Sequence, residues 1–329
     1  MPPRFSGRRR RLLSAAALAA ASGALPALAQ GTYPDRPVML LVPNAAGGPA
    51  DNLARDFGQE LSKRIGQPVV VENAAGASGA IAAQRVLHAA PDGYTLLFGT
   101  TSDMVVTPIA VKSAGYSVRD FTPIAKIGVT QMTLVARASL GIRSADELAQ
   151  LARNKPKALS VGTTGNASLQ AFATMALQRA AGIELLAVPY KGGALVMNDL
   201  LGGQLDLGVI TLPGALPYVR SGKLTMLGVL SDRRASAAPD LPTINESRAF
   251  QGVSVEIWAA IAGPAGLPQP ALDRLGAAIK EVLSDPAFSE RRARNGDMPV
   301  PYQPPSELGR FLLAEDARFR ELATGLQLQ

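Results

Sequence analysis

The sequence predicts an α/β protein of two lobes, each a mainly parallel sheet flanked by helices. One observation is the apolar run Val38–Val42, which leads through a glycine-bearing loop into a helix that begins at Pro49. A second is that the same order of strand, small-residue loop and helix returns at 158–181. A third is that two apolar segments, 121–136 and 253–261, can carry the chain from one lobe to the other and back. The length of the chain also suggests two lobes rather than a single core.

The first strand–loop–helix unit contains a potential anion site. Its continuous apolar run is typical of a strand buried on both faces. Pro49 suits the first position of a helix, Asp51 suits its positive first turn, and Gly66 can end it. The loop at 43–48 is rich in small residues, so its backbone N–H groups and those of the helix N-terminus stay open to an anion. A simple strand-to-helix turn is the alternative that this loop alone leaves open.

The rest of the first lobe repeats the order of strand, loop and helix. Strands at 68–71 and 94–99 enclose a small-residue loop at 72–79 and a helix at about 80–90. A polar loop at 100–103 follows the last of these strands. This alternation indicates parallel strands with helices on both faces of the sheet.

The second lobe begins with a capping box, in which Ser144 and Glu147 start a helix that ends at about residue 154. The strand at 158–161, the loop at 162–168 and the helix at 169–181 then repeat the opening unit. Three further strands alternate with helices, at 185–188, 205–210 and 224–230.

An irregular stretch at 231–250 leads to the return crossing. Three amphipathic helices follow it, at about 270–284, 286–295 and 305–324. We therefore expect the first lobe to comprise 30–127 plus 254–329, and the second lobe to comprise 128–253.

Residues 1–29 have the features of an export signal. Five arginines precede an apolar, alanine-rich segment at 12–25, and Ala27-Leu28-Ala29 is an A-x-A cleavage site. Cleavage after Ala29 would release the mature chain into the periplasm by the Sec or the twin-arginine route. The apolar segment is too short for a membrane anchor. Without this leader 28 basic and 26 acidic residues remain, so the charge gives no argument for binding nucleic acid.

Composition argues against several kinds of catalytic and metal site. The chain has no cysteine and one histidine, His88, so disulfides, thiolate chemistry and histidine-based metal centres are not expected. No P-loop, dinucleotide-binding or nucleophile-elbow motif occurs. Asp51, Asp103 and Asp206 lie near strand ends and could form an acid–base or metal group, although a helix-dipole role is favoured for Asp51 and a turn role for Asp206. We expect no catalytic residue, metal or cofactor; a hydrolase or lyase that uses Asp or Lys side chains is the enzymatic alternative.

Two lobes joined by two crossing segments imply a cleft between them. Ligands of open α/β sheets bind beyond the carboxyl ends of the strands, where the glycine-bearing loops of both lobes gather. An anion held by helix N-termini from opposing lobes would favour the closed form. This is the architecture of a two-lobed, type II-like periplasmic binding protein, with the crossing segments as its hinge.

A series of segments, in order along the mature chain, carries a resemblance to a known family. They are YPDRPVMLLVPNAAGGPAD at 33–51, GQPVVVENAAGASGAIAA at 66–83, PDGYTLLF at 91–98, VGTTGNAS at 161–168, VPYKGGA at 188–194, LLGGQLDL at 200–207, SGKLTMLGV at 221–229, LPTINE at 241–246 and WAAIAGP at 258–264. On these segments the chain resembles the Bug family of periplasmic solute-binding proteins, the receptor component of tripartite tricarboxylate transporters.

The resemblance implies a protein without enzymatic activity that captures a small carboxylate, such as a di- or tricarboxylate, an amino acid or an aromatic acid. It would deliver this ligand to a tripartite tricarboxylate-type permease, its transient partner in the membrane. A ligand-dependent periplasmic sensor that docks on a membrane signalling receptor is the alternative function. A monomer is expected.

The resemblance also implies that two loops, 44–51 and 162–168, grip the carboxylate through backbone amides, hydroxyls and bridging waters. The candidate ligand-binding residues are Asn44, Ala46, Gly47, Gly48, Asp51, Ser102, Thr163, Thr164, Gly165, Asn166, Ala167, Ser168 and Tyr190. Two positions depart from the pattern of the family and bear on ligand preference. Asn44 stands where an aromatic residue is frequent, and Ala171 stands where a histidine is frequent.

Overall fold

A computed structural model describes residues 33–165, 168–190 and 192–324. The leader and its cleavage site lie outside the described residues, so the export signal stays a prediction. None of the helices in these ranges is long and apolar enough to cross a membrane.

The described residues form a mixed sheet of ten strands with helices packed against it. The strands are β1 (Val38–Val42), β2 (Val69–Asn73), β3 (Thr95–Thr100), β4 (Phe121–Arg137), β5 (Ser160–Thr163), β6 (Leu186–Pro189), β7 (Leu207–Thr211), β8 (Leu224–Val229), β9 (Glu256–Pro264) and β10 (Asp297–Met298). The helices are α1 (Pro49–Ile65), α2 (Ala80–Leu87), α3 (Thr107–Ala110), α4 (Ala145–Asn154), α5 (Leu169–Ala181), α6 (Gly193–Leu201), α7 (Leu212–Arg220), α8 (Gln269–Leu283), α9 (Pro286–Arg294) and α10 (Pro305–Ala323).

Strand β4 passes through both lobes. In the first lobe β2, β1 and β3 are parallel, and β9 lies antiparallel between β3 and β4. In the second lobe β6, β5 and β7 are parallel, and β4 lies antiparallel between β7 and β8. β4 pairs with β9 as far as Gln131 and with β7 from Met132 onward. The two-lobed α/β fold is therefore confirmed, with the two apolar runs at 121–136 joined in one strand.

The chain returns to the first lobe immediately before β9. The N–H of Val255 donates to the carbonyl of Leu230 at 2.9 Å, and β9 begins one residue later. This is the return crossing that the sequence predicts. The residue boundaries of the lobes, 30–127 plus 254–329 and 128–253, stay a prediction.

The C-terminal helix α10 packs against elements of both lobes. Its Phe311 ring lies 5.6 Å from the ring of Trp258 on β9 in the first lobe. Two turns later, its Phe319 ring lies 5.5 Å from that of Phe172 on α5 in the second lobe. The lobes are therefore connected by α10 as well as by the crossing strands.

Helix α1 begins and ends where its sequence predicts. Pro49 is its first residue, and Gly66 ends it in the left-handed conformation at φ 78°. Leu53, Phe57 and Leu61 recur every four residues and are buried, which fixes the helix against the sheet. This packing holds the N-terminus of α1 at the carboxyl end of β1.

The predicted polar loop at 100–103 is wrong. Thr100 is the last residue of β3, and a π-helical turn, Ser102–Val106, follows it and continues into α3. The turn forms here because the carboxylate of Asp103 accepts the N–H of Thr100 at 2.8 Å, while Met104 and Val105 are buried. Its polar residues face the carboxyl ends of the strands.

Candidate functional site

The candidate site is a cleft of about 730 Å³ between the two lobes. Its floor is formed by the crossing strands, and its walls carry residues from the predicted loop of the first lobe and from the start of α7 in the second. Its lining includes Asn44, Gly48, Asn52, Asp56, Thr100, Ser102, Thr130, Thr211, Pro213, Ile257, Ala259, Arg291, Arg292, Asn295 and Asp297. A second cavity of about 400 Å³ lies in the second lobe and shares Thr211 with the first.

The first wall of the cleft is the loop before α1. Gly47 has a φ of 80°, which favours glycine, and Gly48 precedes the helix without any side-chain capping bond. The N-terminal backbone groups of α1 therefore have no capping side chain and lie beside the cleft, which Asn44 and Gly48 line. Ala46 is an exposed residue of the same loop.

Asp51 holds this loop from the first turn of α1. Its buried carboxylate accepts the N–H of Gly47 at 2.8 Å and the side-chain amide of Asn73 at 3.0 Å, and it pairs with Arg55 at 2.9 Å. The Arg55 guanidinium, together with these two donors, lowers the pKa of Asp51 to about 2. Asp51 is thus charged at neutral pH, and its visible contacts are to the loop and the helix.

The end of β3 and the turn after it contribute two hydroxyl-bearing residues to the cleft. Thr100 and Ser102 line it, and Asp103 is fully buried between them and the core. Asp103 accepts both the N–H of Thr100, at 2.8 Å, and its hydroxyl, at 2.7 Å. Burial raises the pKa of Asp103 to about 7.

The predicted loop before α5 does not line the cleft in the part of it that the structure describes. The hydroxyl of Ser168 donates to the carbonyl of Gly165 at 2.8 Å and accepts the N–H of Ala171 at 3.2 Å, so it caps α5. The hydroxyl of Thr164 donates to the side-chain oxygen of Gln170 at 2.7 Å, and both residues line the smaller cavity. The predicted ligand residues Asn166 and Ala167 lie outside the described residues.

Two other predicted residues, Thr163 and Tyr190, are bound to each other and lie next to this loop in the chain or the sheet. Thr163 is the last residue of β5, with 1% of its surface exposed, and its carbonyl accepts the N–H of Tyr190 at 2.8 Å. The Tyr190 hydroxyl donates to Asp199 at 2.6 Å. Neither residue lines either cavity.

Sequence reasoning missed the start of α7. Thr211 lines both cavities and precedes α7 without a side-chain capping bond, so a second helix N-terminus, besides that of α1, lies at the cleft. Thr211 followed by Pro213 is a helix-start signal that could have placed it. From the sequence we expect a short helix at 214–221, so the predicted start lies two residues after the observed one at Leu212.

Sequence reasoning also missed a charged group at one end of the cleft. Arg291 pairs with Asp56 at 2.9 Å, and the buried Arg292 pairs with Asp297, which in turn accepts the hydroxyl of Thr130. Asp56 lies on the same face of α1 as Pro49 and Leu53, a spacing that the sequence does reveal. No local sequence pattern reveals that Arg291 and Arg292 on α9 and Asp297 on β10 lie beside Asp56.

The described residues contain no group of three or more His, Cys, Asp or Glu side chains that could hold a metal ion. The carboxylate of Asp206 accepts the N–H of Ser160 at 2.9 Å and pairs with Arg137 at 3.0 Å, so it joins β5 to β4.

The cleft offers a set of hydroxyl, amide and helix N-terminal donors, which suit an anionic ligand.

Two α/β lobes joined by crossing strands around such a cleft define a periplasmic binding protein. The family described as "Tripartite tricarboxylate transporter family receptor" matches residues 53–328 of this chain. The chain therefore belongs to this family of receptors, which includes the Bug proteins.

Individual relatives agree with this assignment. A UPF0065 protein of Bordetella bronchiseptica is 35% identical over 286 residues, which cover 87% of this chain and 84% of the relative. A structure of an R. palustris protein with adipate is 31% identical, with a TM-score of 0.77, and the match covers 89% of this chain and 97% of that one. MatC of Rhodopseudomonas palustris, with bound malate, is 29% identical, with a TM-score of 0.73 and coverage of 88% and 99%.

Proposed function

We propose that this chain is an exported receptor that captures a small carboxylate between its lobes and delivers it to a tripartite tricarboxylate-type permease. The observation that carries the proposal is the cleft of about 730 Å³, at which the uncapped N-terminus of α1 meets the hydroxyls of Thr100 and Ser102. Backbone N–H groups at a helix N-terminus attract an anion without needing a basic side chain.

The relatives support the choice of carboxylate. Two similar proteins have been solved with adipate and with malate, which are both dicarboxylates. The charged side chains at the end of this cleft, Arg291, Arg292, Asp56 and Asp297, pair with one another. We infer that they do not supply the primary anion site, which is left to the loops.

In this proposal the first lobe contributes most of the preformed contacts. Backbone donors come from Ala46 and Gly48, while Gly47 contributes the turn of the loop at φ 80°, and polar side chains come from Asn44 and Ser102. Because the Gly47 N–H already donates to Asp51, we assign Asp51 the role of shaping the loop.

The second lobe closes on the ligand from the opposite side. Its proposed contacts come from the loop before α5 and the adjoining strand end, namely Thr163, Thr164, Gly165, Asn166, Ala167, Ser168 and Tyr190. Among the described residues of this set, Thr164 lines the smaller cavity, which shares Thr211 with the cleft. We further propose export into the periplasm with cleavage after Ala29, a monomeric state and no catalytic activity.

The test is thermal unfolding of the chain from Gln30 onward, refolded to remove bound ligand, against a panel of carboxylic acids that includes malate and adipate. A ligand that binds only the native state at a hundredfold excess over Kd adds about 2.7 kcal/mol of stability. We expect a rise in Tm with at least one acid and no rise with its amide. If the protein is folded and none of the acids raises its Tm, the proposal is contradicted.

A matched pair of variants locates the site. Ser102→Ala removes a hydroxyl from the cleft, and we expect it to weaken binding by about tenfold, because a ligand carboxylate loses one donor. Ser113→Ala removes an exposed hydroxyl that lines neither cavity and should leave Kd unchanged. Delivery to a permease is a separate claim, which uptake of the labelled acid by cells with and without this receptor would test.

A further inference from the structure

A buried carboxyl group lies one side chain behind the wall of the cleft. Asp103 has 1% of its surface exposed, and it contacts the cleft only through Thr100, whose hydroxyl lies 2.7 Å from its Oδ2. The backbone of Gly79 seals the other side so closely that an added Cβ would lie 2.6 Å from the Cβ of Asp103. Water therefore has little access to this carboxyl group.

The groups that face Asp103 bring no charge to balance it. β3, α3 and the turn Ala77–Gly79 carry no charged residue. The phenol of Tyr116 donates to the backbone carbonyl of Asp103 rather than to its carboxylate. On α2, Arg85 pairs with Glu72 at 2.6 Å.

The long helix α10, which packs against the turn of Asp103, also brings no charge that pairs with Asp103. On α10, Arg318 pairs with Glu315 and Arg320 pairs with Asp316. Among the described residues, no basic side chain forms an ion pair with Asp103. This sets it apart from Asp51, whose carboxylate pairs with Arg55.

We propose that Asp103 is a positioning residue that couples carboxylate binding to the uptake of one proton, through the hydroxyl of Thr100. The inference rests on the proposed function, because it concerns the same cleft. With this coupling the receptor binds its ligand more tightly below about pH 7 than above it. The side chains that line the cleft do not themselves provide this pH dependence.

The direction of one hydrogen bond explains the coupling. When Asp103 is ionised it can only accept, so the Thr100 hydroxyl must donate to it and presents lone pairs to the cleft. When Asp103 is protonated it donates to the Thr100 oxygen, and the Thr100 hydrogen is released toward the ligand. A carboxylate therefore gains a donor only in the protonated state.

Charge acts in the same direction as the hydrogen bond. Two successive O–H···O bonds of about 2.7 Å would place a ligand oxygen about 5 Å from the Asp103 carboxyl group. An ionised Asp103 without a cation would repel a ligand anion at that distance. Burial brings the pKa of Asp103 to about 7, so both states are accessible near neutral pH.

The experiment measures the Kd for malate and for adipate by calorimetry between about pH 6 and about pH 8, where both acids are largely ionised. For the wild-type chain from Gln30 onward, we expect binding to weaken by about tenfold across this range. Asp103→Asn imitates the protonated acid, since its amide can donate to Thr100, and should bind equally well at both ends. Asp92→Asn removes an exposed carboxylate paired with Arg36 and should keep the wild-type slope.

A second measurement needs no variant. Binding heats of the wild type in two buffers of different ionisation enthalpy give the number of protons taken up with the ligand. We expect close to one proton at about pH 8 and close to none at about pH 6. This result decides the question if Asp103→Asn does not fold.

The outcomes separate the two proposals. If the acids bind with no proton uptake, or with the same pH slope in the wild type and Asp103→Asn, the coupling is wrong and the receptor function stands. If no acid of the panel binds at any pH, the receptor function fails and the coupling fails with it.

Discussion

The two loops proposed to grip the ligand are built in different ways. The loop before α1 is anchored by a charge: the Asp51 carboxylate accepts from Gly47 and Asn73 and pairs with Arg55. The described part of the loop before α5 is anchored by the neutral hydroxyl of Ser168, which caps its own helix. Charge-assisted hydrogen bonds are roughly twice as strong as neutral ones.

The difference suggests a division of labour between the lobes. The first loop is held from beneath, and the N-terminus of α1 has no side-chain cap, so this half of the site is already formed before a ligand arrives. In the second loop the hydroxyls of Thr164 and Ser168 have partners within the protein. They must exchange those partners to bind a ligand, and we expect that exchange to accompany closure.

The largest expected effect comes from removing the anchor of the first loop. Asp51→Ala leaves the N–H of Gly47, the amide of Asn73 and the charge of Arg55 without their common acceptor. We expect the free energy of unfolding to fall by about 3 kcal/mol, measured by urea denaturation. Carboxylate affinity should fall as well, since the loop loses its shape.

Asp240→Ala is the control for this variant, because it removes an aspartate whose carboxylate pairs with Arg220 on the exposed surface. It should change stability much less than Asp51→Ala does. If Asp51→Ala cost no more than this control, the first loop would not depend on its buried carboxylate, and the contrast between the loops would disappear.

Acid should affect the two loops differently. The pKa of Asp51 in the folded protein is about 2, below its ordinary value of 3.8. A lowered pKa stabilises the folded state above pH 3.8, and that contribution is lost as the pH falls toward 2. The difference amounts to about 2 kcal/mol.

Urea unfolding of the wild type and of Asp51→Asn at about pH 5, 4 and 3 would isolate this contribution. The wild type should lose more stability than the variant as the pH falls. The described part of the second loop has no ionisable side chain, so Ser168→Ala should follow the wild-type profile. Parallel profiles for wild type and Asp51→Asn would show that Asp51 is not held as a charged group.

The sequence predicts where the two loops lie, because capping and turn residues mark the ends of the helices that follow them. Ser168 before the helix and Gly182 after it predict α5 as Leu169–Ala181, and Pro49 with Gly66 predicts α1. These signals are local, since each requires a particular residue type at one backbone position. The positions of the two loops along the chain could therefore be predicted from the sequence.

What the sequence does not contain is the set of partners that meet through the fold. Asn73, which bonds both Asp51 and the carbonyl of Asn44, lies on the neighbouring strand, and nothing near it in sequence marks it. Arg292 and Asp297 look like solvent-exposed charges on a polar segment, yet they are packed together beside the cleft. The raised pKa of Asp103 likewise depends on burial by segments distant in the chain.

Removing the cap of the second loop should have a smaller effect. Ser168→Ala deletes the acceptor for the N–H of Ala171 and the donor to Gly165, and we expect a loss of about 1 kcal/mol in stability. Ser168→Thr keeps a capping hydroxyl and should lose little. A loss from Ser168→Ala as large as that from Asp51→Ala would mean that both loops are anchored equally.

The smallest effect is expected from Gln170, and it tests the exchange of partners directly. Gln170→Met keeps an unbranched side chain of similar length but removes the acceptor that the Thr164 hydroxyl uses in the unliganded protein. If that hydroxyl must leave Gln170 to reach the ligand, the variant binds a carboxylate about two- to fivefold more tightly, which corresponds to one neutral hydrogen bond. Calorimetry with an acid from the panel measures this, and Gln170→Glu provides the opposite case, because a charged acceptor would hold Thr164 more firmly and repel the ligand. A tenfold loss in Gln170→Met would instead make Gln170 a ligand contact in its own right, and the second loop would then be preformed like the first.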